Sequence, residues 1–324
     1  MITIADVEAA ARRLDGIAVR TPLLRNAGLD EAAGGNVLLK PETFQSIGSF
    51  KIRGAYNLLS QLTPEEARRG VVAWSSGNHA QGVALAARLL GIHAAVVMPE
   101  DAPAAKMENT RRLGGEIITY DRYTEDREAI ARAIAGERGA AIVPSFEHPH
   151  IIAGQGTVGL EIAEQSLELG LPPDQVLIPC GGGGLSAGCS VALTARLPDV
   201  NVHTVEPEHY DDTARSLATG TRVSVSQAKP SICDALLSQT PGEMTLAIMR
   251  ELNGPGLVAT EDEIRQAMRF AFRHLKLVVE PGGAAALAAL LAGKIESHGR
   301  TTAVVLSGGN VDRALFAEIQ AEPA

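Results

Sequence analysis

The amino-acid sequence predicts an α/β protein of two domains, each built on an open, twisted parallel sheet flanked by helices. Short β-branched runs alternate along the chain with longer stretches rich in Ala, Leu, Glu and Arg, which is the pattern of α/β units. The runs are apolar throughout, as expected for strands that helices cover on both faces. Because a chain of 324 residues exceeds one typical core, we expect it to divide into two domains.

The predicted strands are separated by stretches with helical apolar spacing, without an internal repeat or low-complexity segment. In chain order they are NVLLK, GVVAW, AAVVMP, EIITY, AAIVP, QVLIPC, NVHTVEP and TTAVVLSGG. Two glycine-rich turns each follow a strand and precede a helix: SSGNHAQG at 75–82 and CGGGGLSAG at 180–188. Ligands of open parallel sheets bind at such strand ends, so both turns are candidate walls of a site.

Composition and charge exclude several classes of protein. A net charge of -9 and a pI near 5.4 argue against a nucleic-acid partner and against an anionic membrane surface. The three cysteines form no CxxC pair, so the sequence indicates neither a disulfide framework nor a zinc site. The first residues, MITIADVEAAARRLDG, do not resemble a targeting segment, and no apolar run approaches membrane-spanning length. We therefore expect a cytoplasmic protein.

The segment SIGSFKIRGA places positive charges where a helix start favours negative ones. Gly48 and Ser49 look like a turn and an N-cap, and helical spacing begins near Phe50. The first turn then contains Lys51 and Arg53, although the helix dipole favours Asp or Glu there. One interpretation is a solvated surface turn. The other is a lysine whose pKa is lowered by a positive potential and partial burial, which makes it a nucleophile able to form a Schiff base.

The CGGGGLSAG turn is a candidate phosphate site. Four successive glycines let the backbone approach a ligand, and the free amides of the turn and of the helix start would bind an anion. An alternative is a dinucleotide site, because Gly182, Gly184 and Ala187 satisfy the G-x-G-x-x-G/A pattern. Glu206 lies 22 residues beyond Gly184, where a ribose-binding acid is expected. A dinucleotide site would make the protein an NAD-dependent dehydrogenase, but that hypothesis assigns no function to the other polar turns of the chain.

The other two polar turns complete a candidate site. SSGNHAQG offers Ser75, Ser76, Asn78 and His79 as donors at a helix start, where they could hold a carboxylate. The last strand ends in VVLSGGN, which places the hydroxyl of Ser307 at a third strand end. A phosphate site, a carboxylate site, a hydroxyl and an amine together indicate pyridoxal 5'-phosphate holding an amino acid.

At this point the chain resembles a known family. The segments KPETFQSIGSFKIRGA, SSGNHAQG, GQGTVGLEI, CGGGGL, VEPEHYDD and LSGGN are similar, in this order, to those of serine/threonine dehydratases and serine racemases. These enzymes belong to the tryptophan-synthase-β group, fold type II of the pyridoxal phosphate enzymes. The resemblance covers nearly the whole chain. It implies a large cofactor-binding domain from residues 1–42 and 146–324, a small mobile domain from residues 43–145, and a homodimer.

The resemblance also implies roles for individual residues. Lys51 would hold the cofactor as an internal aldimine and, once released, act as the base at Cα. Phe50 would pack on the pyridine ring, Asn78 would bond the phenolic oxygen, and Ser307 would face the pyridine nitrogen. The phosphate would be bound by Gly181, Gly182, Gly183, Gly184 and Leu185. The substrate carboxylate would be held by Ser75, Ser76, Asn78 and His79.

A metal site is implied by the segment EPEHYDD. In the metal-binding members of the family, two carboxylates and a main-chain carbonyl collect a hard divalent cation. The matching positions here are Glu206, Tyr210 and Asp212. A set of oxygen ligands suits Mg²⁺ or Ca²⁺ and does not suit zinc. The alternative interpretation is an acidic loop after a strand.

The reaction predicted from this resemblance is elimination of water from a small hydroxy amino acid, L-serine or L-threonine, giving a 2-oxo acid and ammonia. Two alternatives stay open: serine racemisation, with Lys51 on one face and Ser76 as the second acid-base group, and elimination from 3-hydroxyaspartate. Two segments depart from the family pattern. Gly282 and Gly283 stand in EPGGAAAL where relatives often carry a serine, and SICDALL at 231–237 differs from the usual segment.

Overall fold

A computed structural model describes residues 2–75, 77–102 and 104–322, without side-chain detail for residues 104 and 105. Within these residues the chain forms nine strands. They are β1 (Asn36–Pro41), β2 (Val71–Trp74), β3 (Ala94–Pro99), β4 (Glu116–Tyr120), β5 (Ala141–Ile142), β6 (Gln175–Pro179), β7 (Asn201–Pro207), β8 (Leu257–Ala259) and β9 (Thr301–Leu306).

Helices fill most of the connections between the strands. The α-helices are α1 (Ile4–Leu14), α2 (Ala27–Ala33), α3 (Lys51–Leu59), α4 (Pro64–Arg69), α5 (Asn78–Leu90), α6 (Ala104–Arg112), α7 (Arg127–Arg138), α8 (Pro149–Glu168), α9 (Gly184–Arg196), α10 (Asp212–Thr219), α11 (Glu243–Leu252), α12 (Glu261–Phe270), α13 (Pro281–Leu291) and α14 (Arg313–Ala321). Short 3-10 turns occur at Glu42–Phe44 and Asp234–Leu236, and a π-helical turn at Ala271–Leu275 follows α12. None of the described helices is both long enough and apolar enough to cross a lipid bilayer.

The strands form two parallel sheets, which confirms the predicted fold class. One sheet has the order β1-β9-β6-β7-β8 and the other the order β4-β3-β2-β5. The parts of the chain packed around them are called the five-stranded lobe and the four-stranded lobe below. Sequence reasoning missed β8, because this edge strand has only three residues and its pairing partner, β7, lies some fifty residues away along the chain.

The two lobes have separate apolar cores. In the five-stranded lobe, the alanine-rich α13 is buried along its length and packs on β6 and β9. In the four-stranded lobe, α3 and α5 pack on each other, and their apolar faces share a core with β2. The long helix α8 contacts both α3 and α9, so it lies between the lobes. The strands β2 to β5 fall within residues 43–145, while the limits of the two predicted domains stay a prediction.

Candidate active site

The start of α3 is joined to the end of β9 by the main chain. The amide of Phe50 donates to the Ser307 carbonyl at 3.2 Å, and the amide of Gly309 donates to the Gly48 carbonyl at 2.8 Å. Gly48 adopts a positive φ of 71°, a backbone conformation that favours glycine. The predicted lysine and the predicted Ser307 hydroxyl are therefore brought to the same edge of the five-stranded sheet.

Lys51 lies in the first turn of α3, as the sequence predicts, and is its first residue; the N-cap is Phe50, so the prediction of Ser49 as N-cap is wrong. Ser49 is buried instead, and its hydroxyl has no partner within the described part of the chain. The Lys51 amine donates to the Ser145 carbonyl at 3.0 Å and lies 5.1 Å from the centroid of the Phe50 ring. Burial lowers the pKa of Lys51 to about 8, although the negative charge of Glu280 partly offsets this effect.

Arg53, the second cation of this helix start, belongs to a buried cluster of charges. Its guanidinium donates to both oxygens of Glu42, at 2.8 and 2.9 Å, and to both oxygens of Glu161, at 2.6 and 2.9 Å. Only 1% of its side chain is exposed. Because a buried cation left without partners is costly, these ion pairs join α3 to the 3-10 turn that follows β1 and to α8. Arg53 therefore anchors the helix that begins with Lys51.

Asn78 begins α5 and is oriented from both sides of its amide. Its Nδ2 donates to Glu280 Oε1 at 2.6 Å, and its Oδ1 accepts from Asn310 Nδ2 at 2.7 Å. The same Asn310 nitrogen donates to the Ile47 carbonyl at 2.7 Å. Since one oxygen and one nitrogen are each engaged by a different partner, the amide is held in a single orientation.

Glu280 is a site residue that sequence reasoning missed. It occupies the N-cap position of α13, its side chain is buried, and burial raises its pKa to about 7, with Asp234 acting in the same direction. Bonding by Asn78 and the charges of Lys106 and Lys51 oppose that rise. The available signal was an acid directly before a proline at the start of an apolar helix, in EPGGAAAL.

The CGGGGL turn lies between β6 and α9, as predicted. Gly183 is the N-cap of α9 with a φ of 91°, and a Cβ there would lie 2.7 Å from Met249 Cε. A Cβ at Gly182 would overlap the ring of Phe146. Within the described part of the chain, the main-chain amides of residues 181–186 donate no hydrogen bond. Gly181, Gly184 and Leu185, three of the predicted phosphate-binding residues, are among them. Unpartnered amides at the start of a thirteen-residue helix fit a phosphate group.

The SSGNHAQG turn is described in part. The hydroxyl of Ser75 accepts from the Gly77 amide at 3.2 Å. His79 is buried, with Nε2 2.9 Å from the Val143 carbonyl, and burial together with Lys51 lowers its pKa to about 3, so the ring is neutral. Its Nδ1 has no partner among the described residues. Ser76, the predicted second acid-base group, lies outside the described residues. Contact of this turn with a substrate stays a prediction.

The predicted metal ligands lie where β7 meets α10. Both oxygens of Glu206 accept main-chain amides of α10, from Thr213 at 2.9 Å and from Ala214 at 2.7 Å. Burial raises the pKa of Glu206 to about 8 and that of Asp212 to about 7, and the Asp212 charge adds to the rise at Glu206. Asp212 Oδ2 is buried without a partner in the described part of the chain.

Two buried carboxyl groups, one with an orphaned oxygen, fit a hard cation. No group of three or more His, Cys, Asp or Glu side chains that could hold a metal was found in the described ranges, and the predicted set has only two such side chains besides the main-chain carbonyl of Tyr210. The Tyr210 hydroxyl donates to the Lys229 carbonyl at 2.8 Å. Both Glu206 oxygens accept amides of α10, which decides neither the metal role nor the alternative role as a ribose-binding acid. The metal site stays a prediction.

Comparisons with known proteins show the family to which the chain belongs. A family model described as pyridoxal-phosphate dependent enzyme matches residues 14–308. The chain is 43% identical to an L-threo-3-hydroxyaspartate ammonia-lyase of a Pseudomonas species, over 97% of each chain. It is 39% identical to a serine racemase of Schizosaccharomyces pombe, over 97% of this chain and 96% of the relative. The crystal structure of a T.th. threonine deaminase is 42% identical, covers 96% of this chain and 99% of its own, and superposes with a TM-score of 0.90.

Proposed function

This chain belongs to the family of pyridoxal-phosphate dependent enzymes, and on that premise we propose that it eliminates water from a 3-hydroxy-L-amino acid, L-serine or L-threonine. The products are a 2-oxo acid and ammonia. One arrangement carries the proposal: a buried lysine amine, an oriented asparagine amide and the glycine loop lie close together. The Lys51 amine bonds the carbonyl of Ser145, and the adjoining Phe146 packs against the glycine loop. Asn78 bonds Glu280, whose charge acts on Lys51. The resemblance of the chain to an ammonia-lyase and to a threonine deaminase supports it.

The residues that would hold the cofactor are those described above. Lys51 would bind it covalently, the amides of Gly181 to Leu185 would bind its phosphate, and Asn78 and Ser307 would contact its ring substituent and ring nitrogen. When bound, pyridoxal phosphate supplies an electron sink for the electron pair that is left at Cα after proton removal. The protein's own contribution is to hold the amino acid in place and to move the protons.

Lys51 would remove the Cα proton of the substrate. A pKa of about 8 leaves roughly a tenth of the amine neutral at pH 7, far more than the ordinary value of 10.5 allows. The proton passes from Cα to Lys51 Nζ, and the Cβ–O bond breaks so that the hydroxyl leaves as water after gaining a proton. The released enamine takes up water and yields the 2-oxo acid and ammonia.

A second candidate substrate is 3-hydroxyaspartate. The chain is 43% identical to an enzyme named for the L-threo isomer, and elimination from that compound uses the same Cα proton and the same β-hydroxyl. Racemisation of serine is a further candidate activity, favoured by the 39% identity to a serine racemase. It requires an acid-base group on the face opposite Lys51, and the proposed group, Ser76, lies outside the described residues.

A panel of amino acids tests these alternatives. The purified holoenzyme is incubated with L-serine, D-serine, L-threonine and the hydroxyaspartate diastereomers, and ammonia, oxo acid and D-serine are measured. We expect ammonia and an equal amount of oxo acid from at least L-serine or L-threonine, and no turnover by the Lys51→Ala control. Turnover of hydroxyaspartate alone would assign the second candidate. Failure to bind pyridoxal phosphate, or turnover undiminished in Lys51→Ala, would overturn the proposal.

A further inference from the structure

An ion pair connects the two lobes near the candidate active site. Lys106 lies on α6 of the four-stranded lobe, and its amine contacts a carboxylate oxygen of Asp234, which begins the 3-10 turn Asp234–Leu236 of the five-stranded lobe. The Lys106 side chain is only 14% exposed, whereas that of Asp234 is 48% exposed. A largely buried lysine gains more from its partner than an exposed one, because little water competes for its charge.

The turn that contains Asp234 packs against the cofactor-binding elements. A Cβ at Gly181 of the glycine loop would lie 3.4 Å from Leu236 Cα, and a Cβ at Gly282 of α13 would lie 3.3 Å from Ala235 Cβ. The ion pair is therefore attached, through two adjoining residues, to the glycine loop and to the start of α13. Glu280, the N-cap residue of α13, makes another polar connection between the lobes through its bond to Asn78.

The Lys106–Asp234 ion pair and the Glu280–Asn78 hydrogen bond are coupled electrostatically at Glu280. The charged groups that act on its carboxyl are Asp234, Lys106 and Lys51, and Asn78 is its hydrogen-bond partner. While the ion pair is intact, Asp234 raises the pKa of Glu280 and Lys106 lowers it, so their effects oppose each other. If Lys106 lost its charge, the half-exposed Asp234 carboxylate would act on the buried Glu280 carboxyl with only the charge of Lys51 opposing it, which disfavours the ionised form of Glu280.

We propose that Lys106 is a positioning residue for the reaction: its ion pair with Asp234 holds the four-stranded lobe against the five-stranded lobe, so that Asn78 stays bonded to Glu280 beside Lys51. Lys106 acts through Asp234 and Glu280 and takes no part in the proton transfers. The kinetic part of this inference rests on the proposed function. The structural part, which concerns how the lobes are held, does not depend on the identity of the substrate.

The kinetic test uses Lys106→Met, which keeps the length of the side chain and removes its charge, Lys106→Arg, which keeps the charge, and Asp234→Asn. The matched control is Arg138→Met, which breaks an ion pair with Glu116 within the four-stranded lobe. With L-serine, we expect kcat/KM to fall about tenfold or more in Lys106→Met and Asp234→Asn, chiefly through KM. The ionisation of Glu280 in the kcat/KM profile should move to higher pH in Lys106→Met and to lower pH in Asp234→Asn. Lys106→Arg should recover most of the activity, and the control should match wild type.

The structural test measures hydrogen exchange of the holoenzymes, which needs no substrate. We expect Lys106→Met and Asp234→Asn to exchange faster at the amides of residues 77–90 and 106–112, whereas Arg138→Met keeps the wild-type protection of these segments. Exchange and kinetics that match the control in both single variants would overturn the inference, as would a loss in Lys106→Met that Lys106→Arg does not recover. If wild type turns over neither L-serine nor L-threonine, the proposed function fails, and the exchange comparison alone decides the role of Lys106.

Discussion

Replacing Glu280 by glutamine tests the electrostatics of the candidate site. The substitution removes a buried carboxyl group but keeps an oxygen that can accept from Asn78 Nδ2. The pKa of Glu280 is raised to about 7 from its ordinary 4.5, chiefly by burial. The folded protein therefore holds this proton more tightly than the unfolded chain, and the associated stability is present below pH 4.5 and is lost as the pH rises through 7.

The magnitude follows from the size of the shift. A difference between 4.5 and about 7 corresponds to a loss of about 3 kcal/mol in the free energy of unfolding once the pH is well above 7. Glutamine carries no charge at any pH and escapes this loss. About 0.8 kcal/mol of this loss is already present at pH 5, so we expect Glu280→Gln to be about 2.5 kcal/mol more stable than wild type at pH 8.5, relative to the difference between the two proteins at pH 5.

The assay is denaturant unfolding of the cofactor-free proteins at pH 5 and pH 8.5, with the free energy obtained by linear extrapolation. Glu137→Gln, an exposed position on α7, serves as the matched control and should change little at either pH. If the difference between Glu280→Gln and wild type is the same at both pH values, burial does not hold the proton on Glu280, and the electrostatic reasoning for this site is wrong.

Four further predictions concern the cofactor, the metal, the packing of α13 and racemisation. Borohydride should fix pyridoxal phosphate to the peptide that contains Lys51, and Lys51→Ala should lose both this product and turnover, because no other amine takes its place. A chelator should lower activity or melting temperature, Mg²⁺ should restore them, and Asp212→Ala should abolish the response while the cofactor stays bound. Gly282→Ser should lower stability by about 1 to 2 kcal/mol in denaturant unfolding, since its Cβ would lie 3.1 Å from Leu236 Cγ, and Leu236→Val should recover part of the loss. Ser76→Ala should lose D-serine formation from L-serine, measured by chiral chromatography, and keep much of the L-serine elimination.

Each of these predictions has an outcome that contradicts it. A protein that binds NAD and no pyridoxal phosphate would favour the dinucleotide hypothesis for the glycine loop. If a chelator changes neither activity nor melting temperature, the segment around Asp212 is an acidic loop that binds no metal. A Gly282→Ser variant as stable as wild type would show that the Leu236 side chain can move aside without a loss in the free energy of unfolding. An equal loss of every activity in Ser76→Ala would assign that residue to substrate binding.

Local sequence was enough to predict the fold class, the lysine at a helix start and the glycine turn between β6 and α9. Periods of apolar residues are set by the geometry of a strand or a helix, and four glycines between a strand and a helix leave main-chain amides free. These features depend on residues that are close in the chain. The sequence also indicated that Lys51 has a lowered pKa, although the structure attributes the shift first to burial, which no local pattern measures.

The partners of the polar side chains could not be predicted in this way. Asn78 bonds Glu280 across 202 residues and Asn310 across 232, and Lys106 meets Asp234 across 128. Arg53, which had no role in the sequence analysis, proved to be paired with Glu42 and Glu161. The charge state of a buried group depends on the other groups that are buried beside it, because little water screens them from one another. Only the folded chain brings these groups together. Sequence patterns therefore locate the reactive groups, while long-range packing sets their protonation and their orientation.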